Sequence, residues 1–231
     1  MDMAAFLTEI NARIAKYDLL CHPFYKAWAA GELTHDDLRE YACQYYHHVE
    51  AFPSYLAEVA MRLDESELRR AVLANMCDET GGARRRDSRP HSELWLDFAE
   101  GMGATRNMRR HQSVDGMREL IGHFHRLANE GSVEEALAAF YVYESQVPRI
   151  AQEKERGLRE WYGADDKACG YFSLHATADI YHAQVWREQL EVRLAEKPDA
   201  AEATLEAAEN TARMLWQALD GIEAKRMSHA A

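Results

Sequence analysis

Apolar residues recur at helical spacing along nearly the whole of this 231-residue chain, strand-type alternation is almost absent, and there are only five prolines. That periodicity predicts an all-α fold. A first helix is expected over Met3 to Lys16. A turn with Pro23 and a short helix to Ala29 follow, stopped by Gly31. Thr34, followed by Asp36 and Asp37, caps the next helix. Its inward stripe is Leu38, Tyr41, Tyr45, Val49 and Phe52, and Pro53 should kink it. Ser66 to Glu79 reads as a helix with Leu68, Val72 and Met76 inward, ended by Gly81 and Gly82. Further helices are predicted over His91 to Gly101, Val114 to Asn129, Ser132 to Trp161 (with Pro148 inside) and Asp165 to Glu196. A last helix follows Pro198, with Leu205, Ala208, Ala212, Leu215, Leu219 and Ile222 at a/d spacing. With no long linker, low-complexity segment or repeat, residues 1–231 read as one domain of seven to nine helices.

A 47% hydrophobic content supplies one substantial core. The formal net charge of −12 argues against nucleic acid or anionic lipid as the main partner. Cys21, Cys43, Cys77 and Cys169 are scattered without a Cys-x-x-Cys pair, as expected of unpaired thiols in a reducing cytosol. They read as buried small hydrophobes, with Cys77 the one placed near chemistry. No apolar run approaches the roughly 20 residues of a membrane span and no signal-peptide form is seen, so a soluble cytoplasmic protein is expected.

His175, Asp179 and His182 are spaced by four and three residues, which keeps all three on one helix face between Phe172 and Trp186. A carboxylate between two imidazoles on an otherwise apolar stripe is costly to bury unless a cation neutralises it. Two further acids continue inward stripes: Glu144 after Leu137 and Tyr141, and Glu79 after Leu68, Val72 and Met76. Glu79 also stands in the last turn of its helix, where a carboxylate opposes the macrodipole by about 0.3–1 kcal/mol. His91 opens a helix after Pro90. Taken singly, these read as surface, salt-bridged or capping residues. Together, Glu79, His91, Glu144, His175, Asp179 and His182 offer three carboxylates and three imidazoles. Their charge of −3 nearly balances two divalent cations and leaves coordination positions open. Iron, manganese and zinc all accept such a mixed set, and two metals between bundle helices are a known arrangement. Glu32-x-x-His35 straddles a helix start, has no second copy, and is discounted. The arginines at 84–86 read as a solvated loop, with anion binding as the alternative.

The chain resembles the haem-oxygenase-like dimetal oxidases, and within them the chlamydial protein associating with death domains and its bacterial relatives. The resemblance covers most of the chain. It is carried by His-Pro-Phe-Tyr (22–25), Tyr-Ala-Cys-Gln-Tyr-Tyr (41–46), Tyr-Glu-Ser-Gln-Val-Pro-Arg-Ile-Ala-Gln-Glu-Lys (143–154) and Tyr-Phe-Ser-Leu-His (171–175) onward to His182. The stretch between Glu79 and His91 is longer here than in the family's pattern. The resemblance implies a compact haem-oxygenase-like bundle without haem, as a homodimer. It gives the ligand roles to Glu79, His91, Glu144, His175, Asp179 and His182. It also implies two metal ions, iron with iron or manganese, with O2 as co-substrate and an electron donor the sequence does not identify. Such relatives are implicated in forming para-aminobenzoate for folate, the ring coming from a tyrosine of the protein and the nitrogen from a lysine. The matching positions are Tyr25 and Lys154, which would make the protein a single-turnover reagent. Burial would lower the pKa of Lys154 and expose a nucleophilic amine. Tyr41, Tyr45, Tyr141, Tyr143 and Tyr181 are further phenols expected near the metals.

Three alternatives are weighed beside this reading. One is dimetal oxidation of a separate small molecule such as a fatty acid or amino acid. Another is a metal-free oxidase like the one completing pyrroloquinoline quinone on this fold, which leaves the six ligands unexplained. The last is a non-enzymatic helical interaction protein. A thiaminase-like reading finds no supporting motif.

Overall fold

Side chains that accept from exposed backbone N–H groups set where the helices begin. In the computed structural model, Asp2, Ser66 and Asp165 each accept from the N–H three residues on, opening α1 (Met3–Ala15), α4 (Glu67–Glu79) and α8 (Asp166–Glu196). Thr34 and Ser132 form full capping boxes, with Asp37 and Glu135 reaching back, at the heads of α3 (His35–Met61) and α7 (Val133–Trp161). At the head of α2 (Pro23–Ala30) the His22 ring accepts from the Phe24 N–H two residues on, with Pro23 in the first turn and Gly31 closing the helix at φ 71°. The others are α5 (His91–Gly101), α6 (Asp115–Asn129) and α9 (Ala201–His229), and short 3-10 turns span Leu19–Cys21 and Pro198–Ala200. The structure describes residues 2–82, 89–108 and 111–229. Among these residues it has nine α-helices and no strand, as the periodicity predicted. The arginines at 84–86 lie outside the described residues.

The a/d residues of α9 that the sequence marked, from Leu205 to Ile222, are all buried. This helix packs on α1, α6 and α7. The site is framed by the other face of α7, which pairs most extensively with α8, while α3 and α5 close round it and α4 touches α3, α5 and α8. Two of the four long helices carry a proline without ending: Pro53 lies inside α3 and Pro148 inside α7. Pro148 cannot donate to the carbonyl of Glu144 four residues back, so α7 lacks one backbone bond at a candidate ligand.

Gly81 joins the end of α4 to the start of α5. Its φ is 73°, and a Cβ there would stand 2.6 Å from the backbone nitrogen of Pro90. Only glycine permits both the conformation and the approach. Gly81 and Pro90 therefore stand side by side, which brings Glu79 to His91. Arg89 donates to the buried Asp97 at 2.5 Å, and Arg106 donates to its other oxygen at 2.7 Å, anchoring α5 on the same side.

Three expectations need correction. Met76 packs against the core only half-buried, while Asn75 is the residue fully buried with Leu68, Val72 and Glu79. Both residues satisfy the helical period, and the packing of α4 against its neighbours selects Asn75. Of the four cysteines only Cys169 is buried, while Cys43 is intermediate and Cys21 and Cys77 are exposed. Tyr181 lies outside the core at 65% exposure, because it occupies the solvent side of α8 opposite His175 and Asp179.

Candidate metal centre

Four helices bring six ligand-type side chains together in two groups. Glu79 from the end of α4, His91 from the start of α5 and His175 from α8 form one; Glu144 from α7 and Asp179 and His182 from α8 form the other. Within each group the ligand atoms lie within 4.8 Å of one another, and all six residues are buried. His91 Nδ1 is 2.8 Å from Glu79 Oε2. His182 Nδ1 is 3.5 Å from Asp179 Oδ1 and 3.7 Å from Glu144 Oε1. Within the first group the rings of His91 and His175 meet edge to face at 4.5 Å. Glu32 and His35, the discounted pair, are both exposed.

Neighbouring groups fix which imidazole nitrogens face inward. His175 Nδ1 lies 2.7 Å from the Tyr171 carbonyl, so Nδ1–H donates there and Nε2 is left with a lone pair. His182 Nε2 faces Asp78 Oδ2 at 3.5 Å, leaving Nδ1 toward the carboxylates.

Unsatisfied atoms test the fit of a metal. Asp179 Oδ1 and His182 Nδ1 are buried, 3.5 Å apart, and neither makes a well-formed hydrogen bond. Such orphans are costly and rare unless something absent from the protein chain completes them. The protonation balance points the same way. Burial pushes the Glu144 carboxyl up to about 8, and nearby Asp179 and Glu79 add to this against the opposing pull of His182. Burial disfavours the His182 imidazolium, yet Asp179 and Glu144 raise it to about 9. Glu79 is buried too, but His91 and the other imidazoles hold its carboxyl below the ordinary value. His91 is raised against burial by Glu79, while burial lowers His175. The metal-free pocket thus holds protons where cations would neutralise the same carboxylates. The mixed nitrogen and oxygen donors suit two first-row divalent ions.

Next to these groups lies a second cluster. Lys154 is 6% exposed, and its Nζ stands 2.8 Å from the Tyr25 hydroxyl and 2.5 Å from that of Tyr41. The two hydroxyls are 3.0 Å apart. Burial drives the amine well below its ordinary pKa, and drives both phenols well above theirs. No carboxylate offsets this for Lys154, whose Nζ faces the Tyr25 and Tyr41 rings at 4.2 and 4.7 Å, so burial favours the neutral amine. A neutral amine can accept from one phenol while donating to the other.

Tyr25 and Lys154 share a small cavity of about 20 Å³ with Tyr45, Tyr143 and Tyr171, room for one water-sized molecule. Tyr143 pairs with both Tyr45 and Tyr171. Tyr171 stacks on His175 with ring centroids 3.9 Å apart. Phenols therefore run from a candidate ligand to Lys154. Sequence reasoning did not single out Tyr171, although its place four residues before His175 put both on one helix face. An open cleft of about 680 Å³ reaches the other side of the centre, where Glu144 and Asp179 form part of its wall. Tyr141 lies on that side, lining the cleft with Glu144 and Asp179, its hydroxyl donating to Asn11.

A model of a family described as iron-containing redox enzymes matches residues 39–216. The chain belongs to that family. It is 36% identical to the 4-aminobenzoate synthase of Chlamydia trachomatis, over 94% of this chain and 91% of that one. It is 34% identical to the protein of the same name from Nitrosomonas europaea, over 94% and 90% of the two chains. A domain of unknown function with a heme oxygenase-like fold, from Shewanella denitrificans, superposes with a TM-score of 0.82 at 15% identity, covering 100% of this chain and 96% of that one. That likeness shows the fold, which is the haem-oxygenase-like bundle the resemblance implied. Membership in the iron-containing redox enzymes makes the protein an oxidoreductase, and its two buried donor groups fit a dimetal site. Among the described residues no helix is long and apolar enough to cross a membrane.

Proposed function

We propose that this protein forms 4-aminobenzoate, with Tyr25 supplying the ring and Lys154 the nitrogen, at a non-haem dimetal centre that uses O2. Glu79, His91 and His175 would hold one ion, and Glu144, Asp179 and His182 the other, as iron with iron or manganese. When bound and reduced, such a pair supplies an oxidant derived from O2 that can take an electron or hydrogen atom from a phenol.

One observation carries the reading: the Lys154 amine is 2.8 Å from the Tyr25 hydroxyl oxygen. In 4-aminobenzoate the nitrogen stands para to the carboxyl carbon. In tyrosine the hydroxyl stands para to Cβ. The Lys154 amine is therefore beside the ring carbon that must exchange oxygen for nitrogen, and Cβ is the carbon that would become the carboxyl group. Burial keeps the nitrogen lone pair free, since protonation in this cage has no counter-charge. Tyr41 holds the amine from its other side at 2.5 Å. The cavity has no room for a separate aromatic substrate. Tyr171 and Tyr143 offer oxidisable rings between His175 and this cage.

The test is isotopic. Protein carrying ring-labelled tyrosine and nitrogen-labelled lysine is loaded with iron and manganese, reduced and exposed to O2. Both labels are expected in 4-aminobenzoate, and residue 25 should lose its side chain by mass spectrometry. Labelled product from protein whose Tyr25 is intact refutes the assignment. The open cleft at Glu144 and Asp179 favours a second reading, oxidation of a separate small molecule such as a fatty acid or amino acid. That reading predicts turnover of added substrate by the Tyr25→Phe variant.

A further inference from the structure

Glu144 is held at both carboxylate oxygens by side chains that are not themselves ligands. Asn75, on α4 and 3% exposed, donates its Nδ2–H to Oε1 at 2.9 Å. Trp186, on α8 and fully buried, donates its indole N–H to Oε2. The other two carboxylates are held differently. Glu79 meets the His91 ring, and Asp179 Oδ1 makes no well-formed hydrogen bond.

Neutral donors do not cancel the charge of a buried carboxylate. What two of them can do, from two helices, is fix its plane: turning Glu144 about its last side-chain bond would break both contacts, while each oxygen keeps a free lone pair. The Asn75 amide also carries a cost. Its Oδ1 is buried without a partner, where a leucine of similar size would leave nothing unsatisfied. The contact that offsets this is the one to Glu144.

We infer that Asn75 and Trp186 are positioning residues that clamp Glu144 in a single orientation and so set how tightly the Glu144–Asp179–His182 group holds its divalent ion. This rests on the dimetal reading above. Neighbours that orient metal ligands commonly change affinity by about 10–100-fold when removed, and here one ligand has two such neighbours on opposite oxygens.

The experiment is titration of metal-free protein with Mn2+, followed by the electron paramagnetic resonance of the free ion and by elemental analysis. Asn75→Leu removes the amide, and Trp186→Phe keeps an aromatic ring without the donor. Wild-type protein is expected to bind two ions per chain. Each variant should retain one tightly and hold the second about 10–100-fold more weakly. Adding His175→Ala to either variant should remove the remaining tight ion. The melting temperature of the metal-free variants serves as the folding control, and if Asn75→Leu does not fold, Trp186→Phe decides alone. Folded variants that bind both ions within about twofold of wild type overturn the inference and leave the dimetal reading intact. Wild-type protein that binds no ions overturns both.

Discussion

Replacing Lys154 with methionine should make the metal-free protein more stable while abolishing product. The reasoning starts from the unfolded chain, where the amine binds a proton with the ordinary lysine pKa of 10.5. In the folded cage burial removes that proton, so the unfolded state binds one more proton. Stability therefore rises with pH by about 1.4 kcal/mol per pH unit while the folded amine stays neutral and the unfolded one charged. The cost grows with each unit by which the pH lies below 10.5, for as long as the folded amine stays neutral. Against it stand the two contacts to Tyr25 and Tyr41, each worth about 0.5–1.5 kcal/mol net. Methionine has a similar length and no charge to desolvate, and the phenols keep each other as partners at 3.0 Å. The desolvation cost outweighs these two contacts, so the variant is expected to be the more stable at pH 7. Urea unfolding of metal-free wild type and variant at pH 7, 8 and 9 checks this. The gap should shrink by about 1.4 kcal/mol for each unit of rising pH. A variant less stable than wild type, with a gap that does not change with pH, refutes a neutral buried amine and with it the proposed nucleophile.

Tyr25→Phe removes a buried hydroxyl and should cost about 1–3 kcal/mol and eliminate 4-aminobenzoate, while elemental analysis still finds about two metals per chain. His175→Ala should lower metal content to about one per chain through loss from the Glu79–His91 group, and Asp179→Ala should do so through the Glu144–His182 group. Stripping both ions with a chelator should lower the melting temperature, since ions that bind the folded state stabilise it by RT ln(1 + [L]/Kd). Burial lowers His123, on α6, from 6.5 to about 4, where its Nε2 lies 2.8 Å from Thr211 Oγ1 of α9. The unfolded state therefore takes up a proton first as pH falls below 6.5, and stability is lost on the acid side. At about pH 5 the cost is about 2 kcal/mol. His123→Asn should reduce the drop in unfolding free energy between pH 8 and pH 5 by that amount.

The helices and the face of α8 that carries His175, Asp179 and His182 were legible because they depend on local geometry. Caps act over three residues and a helical face repeats over three or four, so Thr34, Ser132 and the 175/179/182 spacing carry their meaning within one element. The remaining features depend on which faces meet. Lys154 lies 129 positions from Tyr25 in sequence, and Asn75 lies 69 from Glu144. Period alone left Met76 and Asn75 equally able to face inward, although it does set Tyr171, on the face of His175, apart from Tyr181 on the far side of α8. The sequence by itself determined an all-α chain with acids and imidazoles on inward stripes. Only the packing of α4, α5, α7 and α8 decided that those stripes converge into two groups of three. It also decided that a lysine is sealed among phenols on one side while a cleft opens on the other. Burial and counter-charge, the quantities that set the chemistry of both places, belong to contacts between helices rather than to any one of them.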